Sequence, residues 1–138
     1  MKILFDTNVI LDVLLLREPF HQAATLLMTE VEKRNLEGYI CPTTITTISY
    51  LISKVKGATE AKRLIQNLLN IFELTSLNKL IFESALTIKI IDYEDAVLHE
   101  SALRSDVDGI VTRNTKDFKN ASIKIFDPEE LSGIIQSF

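Results

Sequence analysis

Three short stretches of the chain set acids or amides beside residues of strand character. The first is Asp6, directly after Lys2-Ile3-Leu4-Phe5 and ahead of Thr7-Asn8-Val9-Ile10-Leu11-Asp12. The second is Asp92-Tyr93-Glu94-Asp95. The third is Arg113-Asn114-Thr115-Lys116-Asp117, which follows Gly109-Ile110-Val111-Thr112. In an open α/β sheet, functional groups gather at the carboxyl ends of the strands. Parallel strands all end on one edge, so Asp6 and the 114–117 loop are expected to converge there. A carboxylate held away from water is costly without a partner, and like charges brought close shift each other's pKa. A hard cation such as Mg²⁺ or Mn²⁺ resolves both problems, because it takes oxygen ligands and keeps several waters. Such a metal can turn water into a nucleophile and offset charge on a phosphodiester. The plainer reading is that Asp92 and Asp95 cap a helix and Asp117 closes a turn. Spacing alone leaves both open.

The elements that must position these residues are legible from periodicity. Ile3–Phe5 reads as a first strand, and Asp6 or Thr7 caps a short helix through Leu14 or Leu15. Pro19 stands near the start of the next helix, where proline is tolerated. Ala23, Ala24, Leu27, Val31 and Leu36 give that helix its stripe, and Gly38 ends it. Tyr39–Cys41 is a second strand. Helices are expected over 43–56, closed by Gly57, and over 59–71. Residues 72–75 read as a third strand and 77–90 as a helix. A helix over 95–104, a strand over 109–112, a strand over 123–126 and a terminal helix opened by Pro128-Glu129-Glu130 follow. Strands alternating with helices imply a three-layer α/β/α domain with a central, mainly parallel sheet.

Composition bounds what such a domain does. The chain has 138 residues and reads as a single domain over 1–138, with 46% apolar and 25% charged residues. A normal core is affordable, and disorder is not expected. The net charge of −4 and pI of about 5.2 do not advertise nucleic-acid binding, which usually shows as a basic patch. The single cysteine, Cys41, excludes an internal disulfide and reads as a small buried hydrophobe. A reducing cytoplasm fits. Asp6 interrupts the N-terminal apolar run after four residues, so no signal peptide is expected. No stretch approaches the ~20 apolar residues of a membrane span.

Other polar residues carry weaker signals. His99 lies four residues after Asp95 on the same helix face and reads as a supporting residue rather than a catalytic one. His21 is surface-like. Asp12 reads as a capping or solvated acid, and Asp106 and Asp108 as turn acids around Gly109. Lys54, Lys56, Lys62 and Arg63 form a basic cluster that reads as a solvated face, with phosphate contact as the alternative. Arg113 and Lys116, inside the acidic loop, are better placed to meet a phosphate.

The segments Phe5-Asp6-Thr7-Asn8-Val9-Ile10-Leu11-Asp12, Asp92-Tyr93-Glu94-Asp95-Ala96 and Ile110-Val111-Thr112-Arg113-Asn114-Thr115-Lys116-Asp117-Phe118 resemble the PIN-domain nucleases. The resemblance is to the small single-domain kind, similar to VapC-type toxin ribonucleases, and spans essentially the whole chain. It implies a PIN-like fold and Mg²⁺- or Mn²⁺-dependent cleavage of RNA. It also implies that Asp6, Asp95 and Asp117 serve as metal carboxylates, with Thr7, Asn8, Thr112 and Asn114 orienting them. A small antitoxin is the implied partner. The apolar residues Leu26, Leu27, Met28, Leu64, Ile65, Leu68, Leu69 and Ile71 read as either core or a surface for a second copy or an antitoxin helix.

One departure stands out. The family carries an acid in its third helix, whereas here the corresponding position is Thr47, and no acid occurs between Glu37 and Glu60. Asp92 or Glu94 are the candidate substitutes. A PIN fold that binds RNA or protein without catalysis is therefore the alternative. A haloacid-dehalogenase-type phosphatase would need an acid where Asn8 stands, and a receiver domain an aspartate within 72–76; neither is present.

Overall fold

The computed structural model describes residues 1–137; Phe138, the last residue of the expected domain, lies outside them. The elements run β1 (Lys2–Phe5), α1 (Thr7–Leu14), α2 (His21–Glu32), β2 (Glu37–Ile40), α3 (Pro42–Lys56), α4 (Ala58–Ile71), β3 (Glu73–Leu74), α5 (Lys79–Ala85), α6 (Tyr93–Leu103), β4 (Gly109–Val111), a 3₁₀ turn (Thr115–Phe118), β5 (Lys124–Phe126) and α7 (Pro128–Gln136). All strand pairs are parallel, in the order β3-β2-β1-β4-β5. From β1 the chain builds outward through β2 to β3, then crosses back to the other side of β1 for β4 and β5. The direction of winding reverses between β1 and β4, and the crevice at their carboxyl ends is where such sheets place their ligands.

Alternating residues of β1 serve two cores. Ile3 and Phe5 join residues of α1, α2, α3, α4 and α7 in one cluster, while Leu4 joins α5 and α6 in the other. The result is the expected three-layer α/β/α arrangement. Because both faces of the sheet are covered, β1 and β4 read as continuous apolar runs. The Phe5 ring meets Phe72 edge-on at 5.1 Å.

Pro19 stands just ahead of α2 as expected, with Phe20 as the N-cap and the helix starting at His21. Several boundaries differ from expectation, each for a local reason. Helix α2 ends at Glu32, where Arg34 takes a left-handed φ of 65° and turns the chain. Leu36 is therefore buried from a loop. Gly38 is not a helix stop but lies within β2. A Cβ there would stand 2.6 Å from the Phe72 ring and 2.9 Å from Val31 Cγ1, so the glycine permits the ring to close over the strand. Cys41 leaves the strand to act as the N-cap residue of α3. The helix expected over 77–90 covers only Lys79–Ala85. Its last turn tightens as Leu86 N and Thr87 N donate to the Glu83 and Ser84 carbonyls, and the Thr87 hydroxyl also donates to the Ser84 carbonyl.

Most of the apolar set that read as either core or an interaction surface is core. Leu27, Met28 and Leu68 are buried, and Leu64, Ile65 and Ile71 pack against them; Leu69 remains exposed. No helix among the described residues is long and apolar enough to cross a membrane.

Candidate active site in the β1–β4 crevice

Asp6 ends β1 in an extended conformation and caps α1, its Oδ1 accepting the Thr7 amide at 2.7 Å. Its Oδ2 accepts the Thr112 hydroxyl at 2.8 Å and Asn8 Nδ2 at 3.3 Å. Thr112 follows β4, is fully buried, and takes the Asn114 amide on its own oxygen at 3.1 Å. Asn8 completes the join, its Oδ1 accepting the Arg113 amide at 3.1 Å. The ends of β1 and β4 are thus tied through side chains that also fix the Asp6 carboxylate. Thr7 reaches the other way, to the buried Thr44 hydroxyl of α3 at 3.0 Å.

A cleft of about 1020 Å³ opens over this join. Asp6, Asp95 and Asp117 all line it, together with Asp92, Glu94, Asn8, Asn114 and Lys116. Asp92 is the N-cap of α6, accepting the Asp95 amide at 3.0 Å, so its carboxylate has a structural task as well as a place on the cleft. Asp117 is exposed on the 3₁₀ turn.

The acids feel one another. Burial raises the Asp6 carboxyl above its ordinary value; the bonds from Thr112 and Thr7 oppose this, and Asp92 and Asp117 add to it. Half-buried Asp95 is pushed up to about 7 by desolvation first, then by Asp6, Asp92, Asp117 and Glu94. Glu94 is raised by desolvation, Asp92 and Asp6. A carboxyl that titrates near neutrality among like charges in a cleft is a mark of a functional site.

The donor set is oxygen only, which suits a hard divalent cation. Yet among the described residues no three His, Cys, Asp or Glu side chains stand close enough to ligate one ion together. Asp6, Asp95 and Asp117, expected within reach of one ion and its waters, line the same cleft without forming a complete direct ligand set among the described residues. The arrangement fits an ion held by one or two carboxylates with water completing its shell, the habit of Mg²⁺.

Arg113 is not on the cleft. Its guanidinium turns inward to Asp12, with Nε at 2.6 Å from Oδ2 and Nη2 at 3.2 Å from Oδ1, and lies 3.9 Å from the Phe20 ring centroid. Arg113, expected to meet a phosphate, thus has its partly buried guanidinium engaged by Asp12 away from the residues that line the cleft. Asp12, read as solvated or capping, is instead fully buried. Thr47 also misses the cleft; its hydroxyl bonds back to the Thr43 carbonyl at 3.0 Å. His99 is buried behind the site, its Nδ1 2.8 Å from Glu100 Oε2 and its Nε2 accepting the Ser122 amide at 3.0 Å. Those partners make Nδ1 the protonated nitrogen and keep His99 off the cleft. His21 pairs with Glu18, Arg63 with Glu60, and Asp108 accepts the Lys2 amide, all as surface or turn residues.

Sequence reasoning missed Arg17, Lys89, Lys119, Asn120, Ile91 and Tyr93 on the cleft. Lys119 stands two residues beyond Asp117 and was within reach of the motif. Lys89 was read into the helix over 77–90 and Ile91 just beyond it, but α5 ends at Ala85 and both sit in an irregular segment.

The fold and site define an open parallel α/β domain with an acidic crevice at its switch point. The PIN-domain family model matches residues 2–116, and the chain belongs to that family. Among solved structures, VapBC-1 from nontypeable Haemophilus influenzae superposes with a TM-score of 0.71 at 18% identity, covering 94% of this chain and 99% of that one. VapBC2 from Rickettsia felis, bound to a DNA fragment from its promoter, gives 0.69 at 16% identity over 92% and 98%. A toxin–antitoxin complex from Klebsiella pneumoniae gives 0.68 at 21% identity over 91% and 96%. A search of curated proteins found no match.

Proposed function

We propose that this protein is a metal-dependent endoribonuclease and the toxin of a toxin–antitoxin pair. The observation that carries this is the cleft itself, lined by Asp6 at the end of β1, Asp95 in the first turn of α6 and Asp117 on the 3₁₀ turn after β4. Mg²⁺ or Mn²⁺ would be held directly by one or two of Asp6, Asp95 and Asp117, with water linking it to the others and with Asp92 or Glu94 standing in for the acid that α3 lacks. Bound there, the ion supplies a nucleophilic water at neutral pH and offsets charge on the phosphodiester. The chain's own part is orientation. Thr112, Asn8 and the Thr7 amide fix the Asp6 carboxylate, and the Thr112–Asn114 bond sets the loop that carries Asp117. Of the two residues expected to meet a phosphate, Lys116 is the one on the cleft and keeps that role.

The partner proposal rests on the structures that superpose, two named as VapBC proteins and one as a toxin–antitoxin complex. An antitoxin segment laid over the cleft would cover Ile91, which is fully exposed, and the half-exposed Tyr93 on its rim. A homodimer, with two clefts on one particle, would help an acidic chain guide RNA. The proposed location is a reducing cytoplasm, where the buried Cys41 thiol stays unpaired.

Thr47 favours a second reading, a PIN module that binds RNA or protein without cutting. One assay separates the two. Single-stranded RNA incubated with the protein and Mg²⁺ or Mn²⁺ should be cleaved, and both EDTA and Asp6→Asn should stop it. Binding of RNA without cleavage at any metal concentration would favour the module. Expression of the chain alone should arrest growth, and co-expression of the antitoxin should restore it.

A further inference from the structure

Asp12 serves two arginines unequally. It is fully buried on α1, one helical turn beyond Asn8. Arg113 takes both of its oxygens in a fork, at 2.6 and 3.2 Å. A bidentate pair of this kind is strong and directional. Arg17 approaches the same carboxylate only to 3.8 Å, without a hydrogen bond, and keeps 40% of its side chain exposed. The difference extends to the surroundings. Arg113 is covered by Phe20 and absent from the cleft, whereas Arg17 lines it.

The backbone is built to deliver Arg17 there. After α1, Leu16 takes a left-handed φ of 50° although it is a leucine, a conformation that costs about 1–2 kcal/mol in an L-residue. That turn brings the Arg17 amide back onto the Asp12 carbonyl at 3.1 Å. The Arg17 carbonyl is then held by the Phe20 and His21 amides at 2.9 and 2.8 Å. The guanidinium therefore leaves a fixed backbone beside a buried negative charge that is already satisfied by another arginine.

We infer that Asp12 divides the work between these arginines, Arg113 clamping the β4 loop and Arg17 offering its guanidinium to a substrate phosphate. Arg113 is a positioning residue. Its amide is held by Asn8 and its side chain by Asp12, so the segment carrying Asn114 and Asp117 is pinned to the helix that begins at Asp6. Arg17 is a substrate-binding residue for a phosphodiester backbone, on the α1 side of the cleft. Asp12 holds its charge near the wall without consuming its donors. The Arg17 role rests on the nuclease reading; the Arg113 clamp does not.

The test uses the full chain in an Asp95→Asn background, which removes cleavage, with a labelled single-stranded RNA of mixed sequence. Binding is followed by fluorescence anisotropy across a series of KCl concentrations, and amide exchange of residues 113–117 is read on the metal-free protein. Loss of one phosphate contact on a single strand lowers the slope of log K against log salt by about 0.7. Arg17→Ala is expected to weaken binding severalfold and lower the slope by that amount, with exchange at 113–117 unchanged. Arg17→Lys, which keeps the charge, should restore the slope. Arg113→Lys keeps the charge but loses the fork; it should leave the slope alone and speed exchange at 113–117. An unchanged slope in Arg17→Ala overturns the assignment, as does a slope lowered by Arg113→Lys. Unchanged exchange in Arg113→Lys overturns the clamp. If the Asp95→Asn protein itself fails to bind RNA at every salt concentration, the nuclease reading falls and Arg17's role with it, while the exchange measurement still decides the clamp.

Discussion

At the scale of single residues, the behaviour of Asp95 makes the clearest statement. Its carboxyl is held at about 7 in the fold against 3.8 as the ordinary value, so the folded chain keeps a proton that the unfolded chain has lost. Stability falls with rising pH wherever the folded state binds more protons. This group's contribution is therefore fully favourable below about pH 4, declines up to about pH 7, and is level above that. The metal-free protein should melt at progressively lower temperature across that window, and Asp95→Asn should flatten the decline. A cation needs the ionised form, so the melting shift produced by Mn²⁺ should grow over the same window; a shift that shrinks as pH rises would contradict this site. Asp6→Asn should leave the fold within about 1 kcal/mol, because asparagine caps a helix as well as aspartate does and a buried charge is removed. Urea denaturation checks this, and a loss of several kcal/mol would contradict it. Asp12→Ala should cost about 3–5 kcal/mol by stranding the charge of Arg113. Asp6 and Asp117 were legible because they flank strands in sequence. The Asp12–Arg113 pair was not, since its partners stand 101 residues apart and nothing local marks them.

At the scale of elements, the site depends on how closely β4 lies beside β5. A Cβ on Gly109 would stand 2.7 Å from the Phe126 ring and 2.9 Å from the Lys124 carbonyl. Gly109→Ala should cost about 1–3 kcal/mol as overpacking. It should also reduce metal binding, because β4 leads directly into Thr112 and Asn114. An alanine variant as stable as the parent by urea denaturation would contradict that packing. On α3, Thr47 is three residues beyond Thr44, whose hydroxyl meets Thr7, so the two share a side of the helix. Thr47→Glu should tighten Mn²⁺ binding in calorimetry; weaker or equal binding would show that this side of α3 does not serve the cation. Strands and long helices were readable because their apolar spacing is regular. The ends of α2 and α5 were not, because a left-handed Arg34 and the Thr87 hydroxyl stop them, and neither residue type announces a helix end. Gly38 misled for the opposite reason: glycine is a common helix stop, but here it clears space for Phe72.

At the scale of the whole molecule, the order of strands explains why a modest chain assembles a site from segments about a hundred residues apart. Placing β1 between β2 and β4 makes it the switch strand, and whatever follows β1 and β4 must meet. The chain's net charge of −4 is not concentrated in that cleft, where Asp6, Asp92, Glu94, Asp95 and Asp117 face Arg17, Lys89, Lys116 and Lys119. Light scattering of the isolated chain should give twice 15.6 kDa if the proposed homodimer forms, and 15.6 kDa would exclude it. The most direct measurement is a titration of Mn²⁺ into the protein with cleavage of single-stranded RNA read alongside. Cleavage should rise in step with metal occupancy, vanish on chelation, and be absent in Asp6→Asn. Cleavage that persists both in EDTA and in Asp6→Asn would contradict the account.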